Sequence, residues 1–109
     1  MNNSIIEHNY LPLSETAYYI LLSLIEPRHG YGIMQHVENL TNGRIRLGAG
    51  TVYGSLSRME KEKWILVVEE EERRKSYQIT DIGRCILRLE IDRIRELYSN
   101  GQKYEEELL

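Results

Sequence analysis

Residues 50–79 read GTVYGSLSRMEKEKWILVVEEEERRKSYQI, and this stretch decides the fold. Its first half predicts an amphipathic helix over residues 50–63, because Val52, Leu56 and Met59 recur at helical spacing. Its second half predicts two short strands, because apolar runs flank a charged middle of four glutamates and three cations. A helix followed by a basic hairpin is typical of a winged helix-turn-helix, in which the helix is the recognition helix.

The polar side of the predicted recognition helix carries Thr51, Ser55 and Arg58 at the same spacing as its apolar side. Small polar side chains and one long cation allow a helix to approach base edges in the major groove. We therefore expect these three residues to contact DNA. Tyr53 borders the apolar side, where its hydroxyl could reach a phosphate. An ordinary solvated helix face is the alternative interpretation of this pattern.

Two other groups are candidates for contact with the DNA backbone. Arg73, Arg74 and Lys75 lie at the predicted hairpin tip, where their charge favours phosphate or minor-groove contact. A merely solvated tip is the alternative, and the preceding glutamates would repel DNA. Tyr31 and Gly32 begin the predicted second helix, where backbone N–H groups suit a phosphate. A turn that simply needs glycine explains them equally well.

The second helix is expected over residues 31–40, with Asn42-Gly43 ending it through a left-handed glycine. The following residues 44–47, RIRL, alternate polar and apolar side chains, which predicts a short strand. Glycines at 48 and 50 then turn the chain into the recognition helix.

The first and last helices are expected to serve a dimer. The first would run from an N-cap at Ser14 to about Glu26, before Pro27, and it is apolar on two sides. The last would run from Asp81, after an N-cap at Thr80, to about residue 104, a length of about 36 Å. Apolar residues on its seam recur as in a coiled coil. The expected dimer contacts are Tyr18, Leu22, Leu87, Ile91, Ile94 and Tyr98.

Length and composition narrow the class of protein. A chain of 109 residues predicts one domain, with residues 1–80 forming the winged helix-turn-helix and residues 81–109 the last helix. No apolar run approaches the roughly 20 residues of a membrane span, and no leader is evident. The lone Cys85 fits a reducing cytoplasm. The net charge is −3, yet residues 28–84 hold ten Lys or Arg against eight acids, so the predicted DNA-contacting segment is positive.

Catalysis and metal binding are not expected. The sequence contains no nucleophile elbow, phosphate-binding loop or zinc motif. His8, His29 and His36 lack metal-ligand spacing with Cys85 or with clustered acids. We therefore expect neither a cofactor nor enzymatic activity.

In this order the elements resemble the PadR family of regulators. The matching stretches are LSETAYYILLSLIE at residues 13–26, HGYGI at 29–33, RIRL at 44–47, GTVYGSLSRMEKEKWI at 50–65 and YQITDIG at 77–83. The resemblance covers roughly residues 11–100, and the combination of HGYGI, GTVY and YQIT-x-x-G in this order is specific. The chain length of 109 residues is similar to that of the short PadR subclass.

The resemblance implies a bacterial transcriptional regulator, usually a repressor, that binds double-stranded operator DNA as a homodimer through its first and last helices. A further hypothesis adds an effector, a flat apolar or aromatic molecule held between the subunits in a cavity lined by Tyr18, Tyr19, Tyr98 and Tyr104, with plain interface packing of these tyrosines as the alternative. This chain departs from the family pattern at residues 48–49, which often read Ser-Pro, and at Lys63, which is often glycine. The net acidity and the Glu69–Glu72 run favour a second hypothesis, a protein-interaction module that binds no specific DNA.

Overall fold

The structure, a computed structural model, describes residue 3 and residues 9–109, so His8 lies outside the described residues. The elements form an α+β, mainly helical winged helix-turn-helix with a long C-terminal helix, as the sequence predicts. In chain order they are α1 (Glu15–Ser23), α2 (Gly30–Leu40), the recognition helix α3 (Ala49–Lys61), β1 (Ile65–Glu71), β2 (Arg74–Ile79) and α4 (Asp81–Gln102), followed by a 3₁₀ helix (Glu105–Leu108). None of the described helices is both long and apolar enough to span a bilayer.

The predicted helix caps are confirmed. The Ser14 hydroxyl accepts a hydrogen bond from the amide of Ala17 at 3.1 Å, and Thr80 Oγ1 accepts one from the amide of Gly83 at 3.1 Å. Helix α1 ends at Ser23 rather than at Glu26. Its last turn tightens because the Leu24 amide donates to the carbonyl three residues earlier, at 3.1 Å.

One core joins α1, α2, α3 and the first half of α4 to the base of the two-stranded sheet. Its buried residues come from α1, α2, α3, both strands and the first half of α4. They are Ile20, Leu21, Leu24, Ile33, Val37, Val52, Leu56, Met59, Ile65, Tyr77, Ile79 and Leu87. The apolar side predicted for α3 is therefore confirmed at Val52, Leu56 and Met59.

The hairpin, which forms the wing, is longer than the sequence indicated. Its strands are antiparallel and pair Ile65 with Ile79 at the base and Glu71 with Arg74 at the tip, with an irregularity after Val67. Glu69, Glu70 and Glu71 therefore extend β1 instead of forming a loop, because strand pairing continues through them, and only Glu72 lies in the turn. The wing is tied to the helices where Arg28 and Tyr77 exchange backbone hydrogen bonds of 3.1 and 2.9 Å.

Residues 44–47 form no strand, so that prediction is wrong. The alternation of burial is real, since Ile45 and Leu47 are half-buried against the core. However, the Ile45 amide donates to Thr41 Oγ1 at 3.0 Å instead of to a neighbouring strand. Arg44 and Arg46 pair with Glu15 and Glu38, respectively, which holds the segment across α1 and α2.

Two helices end in the left-handed conformation. After α2, Asn42 has φ 51° and Gly43 has φ 79°, so both residues, rather than the glycine alone, are left-handed. After α3, Lys63 has φ 67°. The amides of Lys63 and Trp64 donate to the carbonyls of Glu60 and Met59 at 3.0 and 2.9 Å, which is the Schellman pattern. A lysine thus occupies a position that favours glycine.

We expect Lys63→Gly to stabilise the protein. Relief of the left-handed strain gains about 1–2 kcal/mol, of which glycine's greater unfolded-state entropy takes back about 0.5–1 kcal/mol. Thermal unfolding measures the difference as a rise of a few degrees in Tm. Lys61→Gly is the matched control, because residue 61 is helical and glycine there should cost about 1 kcal/mol. A fall in Tm for Lys63→Gly would contradict this interpretation of the helix end.

Helix α4 extends beyond the core. Leu87 is buried in the chain's own core at 4% exposure, so its assignment to a dimer contact is wrong. Its side chain faces inward because it lies on the half of α4 that packs on the other helices. Tyr18, Leu22 and Ile91 are half-buried against the same core. Further along α4, Ile94, Leu97 and Tyr98 are 37%, 57% and 59% exposed.

A buried carboxylate on α4 forms a hydrogen bond with the backbone just before α1. Glu90 is 1% exposed, and its Oε2 accepts the amide of Leu13 at 2.7 Å. Its carboxylate also pairs with Arg93 at 2.5 Å, and this hydrogen bond raises the pKa of the Arg93 guanidinium. The charge is therefore buried with partners, as such groups require.

Candidate nucleic-acid interface

The recognition helix α3 presents to solvent a face of very small residues, the glycine face. Gly50, Gly54 and Ser57 follow one another at helical spacing on the side opposite the core, and all three are exposed. A Cβ atom added to Gly50 or Gly54 would meet no atom within 4 Å. Packing inside the protein therefore does not require these glycines, and the helix backbone is open to close approach. Sequence reasoning missed this face, although the spacing of the two glycines and the serine was visible.

Ser55 does not belong to the exposed face, so its prediction as a DNA contact is wrong. It is 5% exposed, whereas Thr51 and Arg58 are exposed as predicted. Residue 55 lies three positions after Val52 and four before Met59, both of which are in the core. Ser55 therefore lies on the same side of the helix as these two core residues. Thr51 and Arg58 lie between Ser55 and the glycine face.

Tyr53 flanks the glycine face on the other edge and reaches over the start of α2. A Cβ atom on Gly30 would lie 2.6 Å from both Cζ and Oη of Tyr53. The Tyr53 ring therefore packs directly on the backbone of Gly30, and any side chain at residue 30 would overlap it. Tyr53 is 52% exposed and Tyr31, at the start of α2, is 58% exposed, so both rings remain accessible.

The start of α2 offers fewer free amides than expected. The Gly32 amide donates to Nδ1 of His29 at 3.2 Å, so the side chain of His29 caps the helix. The prediction that Gly32 contributes its N–H to a phosphate is therefore wrong, because that donor is already used. The amides of Gly30 and Tyr31 precede it in the first turn, where the helix dipole favours an anion.

The wing cations lie beside the same helix start. Arg73, Arg74 and Lys75 are exposed, and none forms an ion pair with another described residue. Glu70 and Glu71 are opposite Lys75 and Arg74 in the strand pairing, without approaching within ion-pair distance. The hairpin tip therefore keeps its positive charges available.

A single cleft of about 800 Å³ brings these groups together. Its lining comes from the start of α2, from Tyr53 on α3 and from the wing. The lining residues are His29, Gly30, Tyr31, Tyr53, Glu71, Glu72, Arg73, Arg74, Lys75 and Tyr77. Burial, with nearby Glu60, Tyr53 and Glu70, raises the pKa of Tyr77, so its hydroxyl stays protonated at neutral pH. The cleft thus offers hydroxyl donors, helix-start amides and cations, which are the groups that bind phosphate.

No group of three or more metal-ligating side chains is found among the described residues. His36 serves packing instead: its Nδ1 lies 2.9 Å from the Ser23 hydroxyl, which itself donates to the Tyr19 carbonyl. Burial, reinforced by Arg28, lowers the pKa of His36. Because the Ser23 hydroxyl hydrogen is used by the Tyr19 carbonyl, Nδ1–H of His36 is the donor in the contact with Ser23.

Known proteins resemble this chain in sequence. The sequence profile of the family described as "Transcriptional regulator PadR-like family" matches residues 18–89. "Uncharacterized protein X" of Lysinibacillus sphaericus is 32% identical over 94 residues, covering 75% of this chain and 86% of that protein. A protein in transposon TN4556 of Streptomyces fradiae is 33% identical over 79 residues, but the chain spans only 22% of its length.

Solved structures agree with the sequence matches. A transcriptional regulator from Clostridium thermocellum superposes with a TM-score of 0.73 at 24% identity, over 95% of this chain and 97% of that one. A PadR family transcriptional regulator from Eggerthella lenta superposes with a TM-score of 0.69 at 26% identity, over 84% of this chain and 81% of that one. The chain described above belongs to the PadR-like family of transcriptional regulators.

Proposed function

We propose that this protein is a repressor that binds a palindromic operator as a homodimer. The observation that carries the proposal is the convergence of Tyr31, Tyr53 and the wing cations in one cleft beside the glycine face of α3. In this arrangement α3 enters the major groove, Thr51 and Arg58 address base edges or phosphates, and the wing binds the backbone. Cytoplasmic location goes with this function.

Dimerisation is supported by the outer half of α4. Ile94, Leu97 and Tyr98 form an exposed apolar strip on a helix that extends beyond the core. Apolar side chains recurring along a helix are buried when a second helix packs on them. A two-fold dimer would present two recognition helices to half-sites about 34–36 Å apart. Residues 81–109 then act as the dimerisation part of the same domain as residues 1–80.

The effector predicted between the subunits belongs to this proposal too. Tyr98 on the outer half of α4 and Tyr104, two residues after its end, are each 59% exposed where a partner would pack. They would give an inter-subunit cavity aromatic walls suited to a flat ligand. A thermal-shift screen of planar compounds tests this part, and a screen without a binder would count against it.

Gel-shift titration tests the DNA-binding proposal. The DNA upstream of the protein's own gene is titrated at several salt concentrations, with unrelated DNA as competitor. A regulator that contacts ~6–10 phosphates should lose affinity by about 10³–10⁵ between 50 and 200 mM salt. A protein-interaction module, the alternative that the Glu69–Glu72 run supports, should show neither preference nor steep salt dependence. Selection from random DNA then distinguishes a different operator from an absence of specific binding.

The glycine face gives a prediction that separates binding from stability. Gly54→Gln should weaken operator binding by at least about tenfold, because a long side chain would hold the helix away from the base edges. The same change should stabilise the free protein by about 0.5–1 kcal/mol, since glutamine is a better helix former and Gly54 has open space around it. Gel shift and thermal unfolding measure the two effects.

Gly54→Ala is the control at the same position. Alanine provides a similar gain in helix stability with only a methyl group added, so DNA affinity should change much less. Equal affinities for the native protein and Gly54→Gln would remove this face from the interface.

A further inference from the structure

The wing exposes apolar side chains on the face that it turns away from the core. Ile65 is buried, so its neighbour Leu66 points to the opposite, outer face, where it is 46% exposed. Val68, in the irregular part of β1, is 44% exposed. Gln78 is paired with Leu66, and its Nε2 donates to the carbonyl of Ile25 at 3.2 Å. Ile25 is itself 44% exposed, so three aliphatic residues cluster in solvent at the base of the wing.

A groove of about 780 Å³ continues this cluster. It forms where the end of α3, the bases of both strands and the start of α4 meet. Its accessible apolar lining includes Leu66 and Ile82, and its charged lining comprises Glu60, Lys63, Asp81 and Arg84. Two acids and two cations balance, so the groove itself favours neither sign of charge. Single exposed apolar residues are ordinary, whereas a cluster bordered by polar residues is typical of a protein-binding surface.

The acidic run of β1 gives this surface its sign. Residues 74, 76 and 78 of β2 alternate onto the outer face, and Glu71 and Glu69 are opposite residues 74 and 76. Both glutamates therefore lie on the same face as Leu66, and neither forms an ion pair with another described residue. We call Leu66, Val68, Glu69 and Glu71 the outer wing face. Nucleic acids and anionic lipids are repelled by its acids, whereas a cationic polypeptide is complementary to it.

We propose that the outer wing face binds a segment of another protein in which lysine or arginine is adjacent to aliphatic residues. The aliphatic side chains cover Leu66 and Val68 and enter the groove, and the cations pair with Glu69 and Glu71. None of the residues that line the groove also lines the DNA-contacting cleft, and Glu71 lies at the border between the two surfaces. Binding of this segment therefore does not require DNA binding.

Peptide selection tests the chemistry of the partner. Random decapeptides displayed on phage are selected on the immobilised native protein, and the enriched sequences are synthesised. They should carry lysine or arginine beside aliphatic residues, and they should shift the amide signals of Leu66 and Val68 in the ¹⁵N-labelled protein. No enrichment, enrichment of acidic peptides alone, or shifts confined to other parts of the chain would overturn the proposal.

The apolar contact is tested with one variant and a matched control. Leu66→Gln should weaken binding of the selected peptide by about tenfold or more, because the buried aliphatic contact is lost. Leu40→Gln changes an equally exposed leucine at the end of α2, which is 49% accessible, and should leave binding unchanged. Both residues are exposed, so both variants should fold. Equal peptide affinities for the two variants would overturn the proposal.

The charge contact is tested in the same way. Changing Glu69 and Glu71 together to glutamine should weaken peptide binding by about threefold to tenfold, the range for two exposed ion pairs. The same change at Glu105 and Glu106, exposed acids after α4, should have no effect. Equal losses in both variants would show a general effect of net charge and would overturn the proposal.

A second copy of this chain is the rival occupant. If the signals of Leu66 and Val68 broadened with rising concentration of the native protein alone, and Leu66→Gln abolished the broadening, the face would serve self-association and the proposal would be wrong. Signals that do not depend on protein concentration are the expected result.

The consequence for DNA rests on the proposed function. A bound cationic segment neutralises Glu69 and Glu71 beside the wing cations, so the selected peptide should raise operator affinity by about threefold or more. The glutamine variant of these two residues should show no such gain. If the peptide binds and DNA affinity is unchanged, the docking surface stands and its coupling to DNA is refuted. If no DNA binding is seen at all, the peptide measurements still decide the docking surface, so the two failures are distinguishable.

Discussion

Changing Arg73, Arg74 and Lys75 together to glutamine is expected to lower DNA affinity by between two and three orders of magnitude, about 500-fold, at ~0.1 M salt. The reason is counterion release: each cation that neutralises a phosphate adds about 0.9 to the slope of log affinity against log salt, so the slope should fall by about 2.7. The three side chains are exposed and form no ion pairs with described residues, so Tm should change little. Gel shifts at several salt concentrations provide both quantities.

The wing also supplies the matched control for this prediction. Changing Glu69, Glu70 and Glu71 to glutamine removes three charges of opposite sign from the same hairpin, and DNA affinity should rise. An unchanged salt slope in the Arg73, Arg74 and Lys75 variant would show that the wing does not touch the DNA backbone.

Gly83→Ala is expected to cause the largest loss of stability. A Cβ atom at this position would overlap the backbone carbonyl oxygen of Trp64 and lie 2.6 Å from Cγ1 of Ile79. The carbonyl cannot move freely, because it accepts the Thr80 amide at 2.9 Å and links the start of β1 to the start of α4. Overpacking of this kind costs about 3 kcal/mol or more, which corresponds to a fall in Tm of more than about 10 °C.

Thermal unfolding at fixed protein concentration measures this effect. Gly101→Ala is the control in the same helix, because a Cβ atom there would meet nothing within 4 Å. It should leave Tm unchanged or slightly raised, as expected for replacing glycine in a helix. A Tm for Gly83→Ala within about 2 °C of the native value would mean that the contact between Trp64 and α4 is not tight.

Sequence patterns predicted the elements well where local signals decide them. The apolar spacing of Val52, Leu56 and Met59 identified α3, and the hydroxyls of Ser14 and Thr80 identified two helix starts. These features depend on residues within one or two turns, so the sequence contains them in full. Polar and apolar residues also alternate clearly at residues 44–47. A strand, however, forms only when a neighbouring strand is there to pair with it, and a local pattern does not show whether one is.

The errors in the candidate site come from contacts between distant segments. Ser55 is polar, but it lies on the side of α3 that packs on the other elements through Val52 and Met59, and it is 5% exposed. Leu87 lies on the seam expected for a dimer, but the chain's own core reaches that far along α4. Gly32 is the exception, because its amide is used by the side chain of His29 only three residues earlier. The first two outcomes depend on tertiary placement, which periodicity does not encode.

The acidic strand of the wing has a consequence for how such a regulator finds its site. A genome offers about 10⁶–10⁹ competing sequences, so occupancy of an operator depends on the ratio of specific to random binding. Random binding is almost entirely electrostatic, and Glu69, Glu70 and Glu71 oppose it on the strand beside the cations. If the protein binds an operator as proposed, their repulsion shortens each unproductive encounter with random DNA. Fewer copies of the protein would then be sequestered on the chromosome, and a smaller cellular pool would suffice to keep its operator filled.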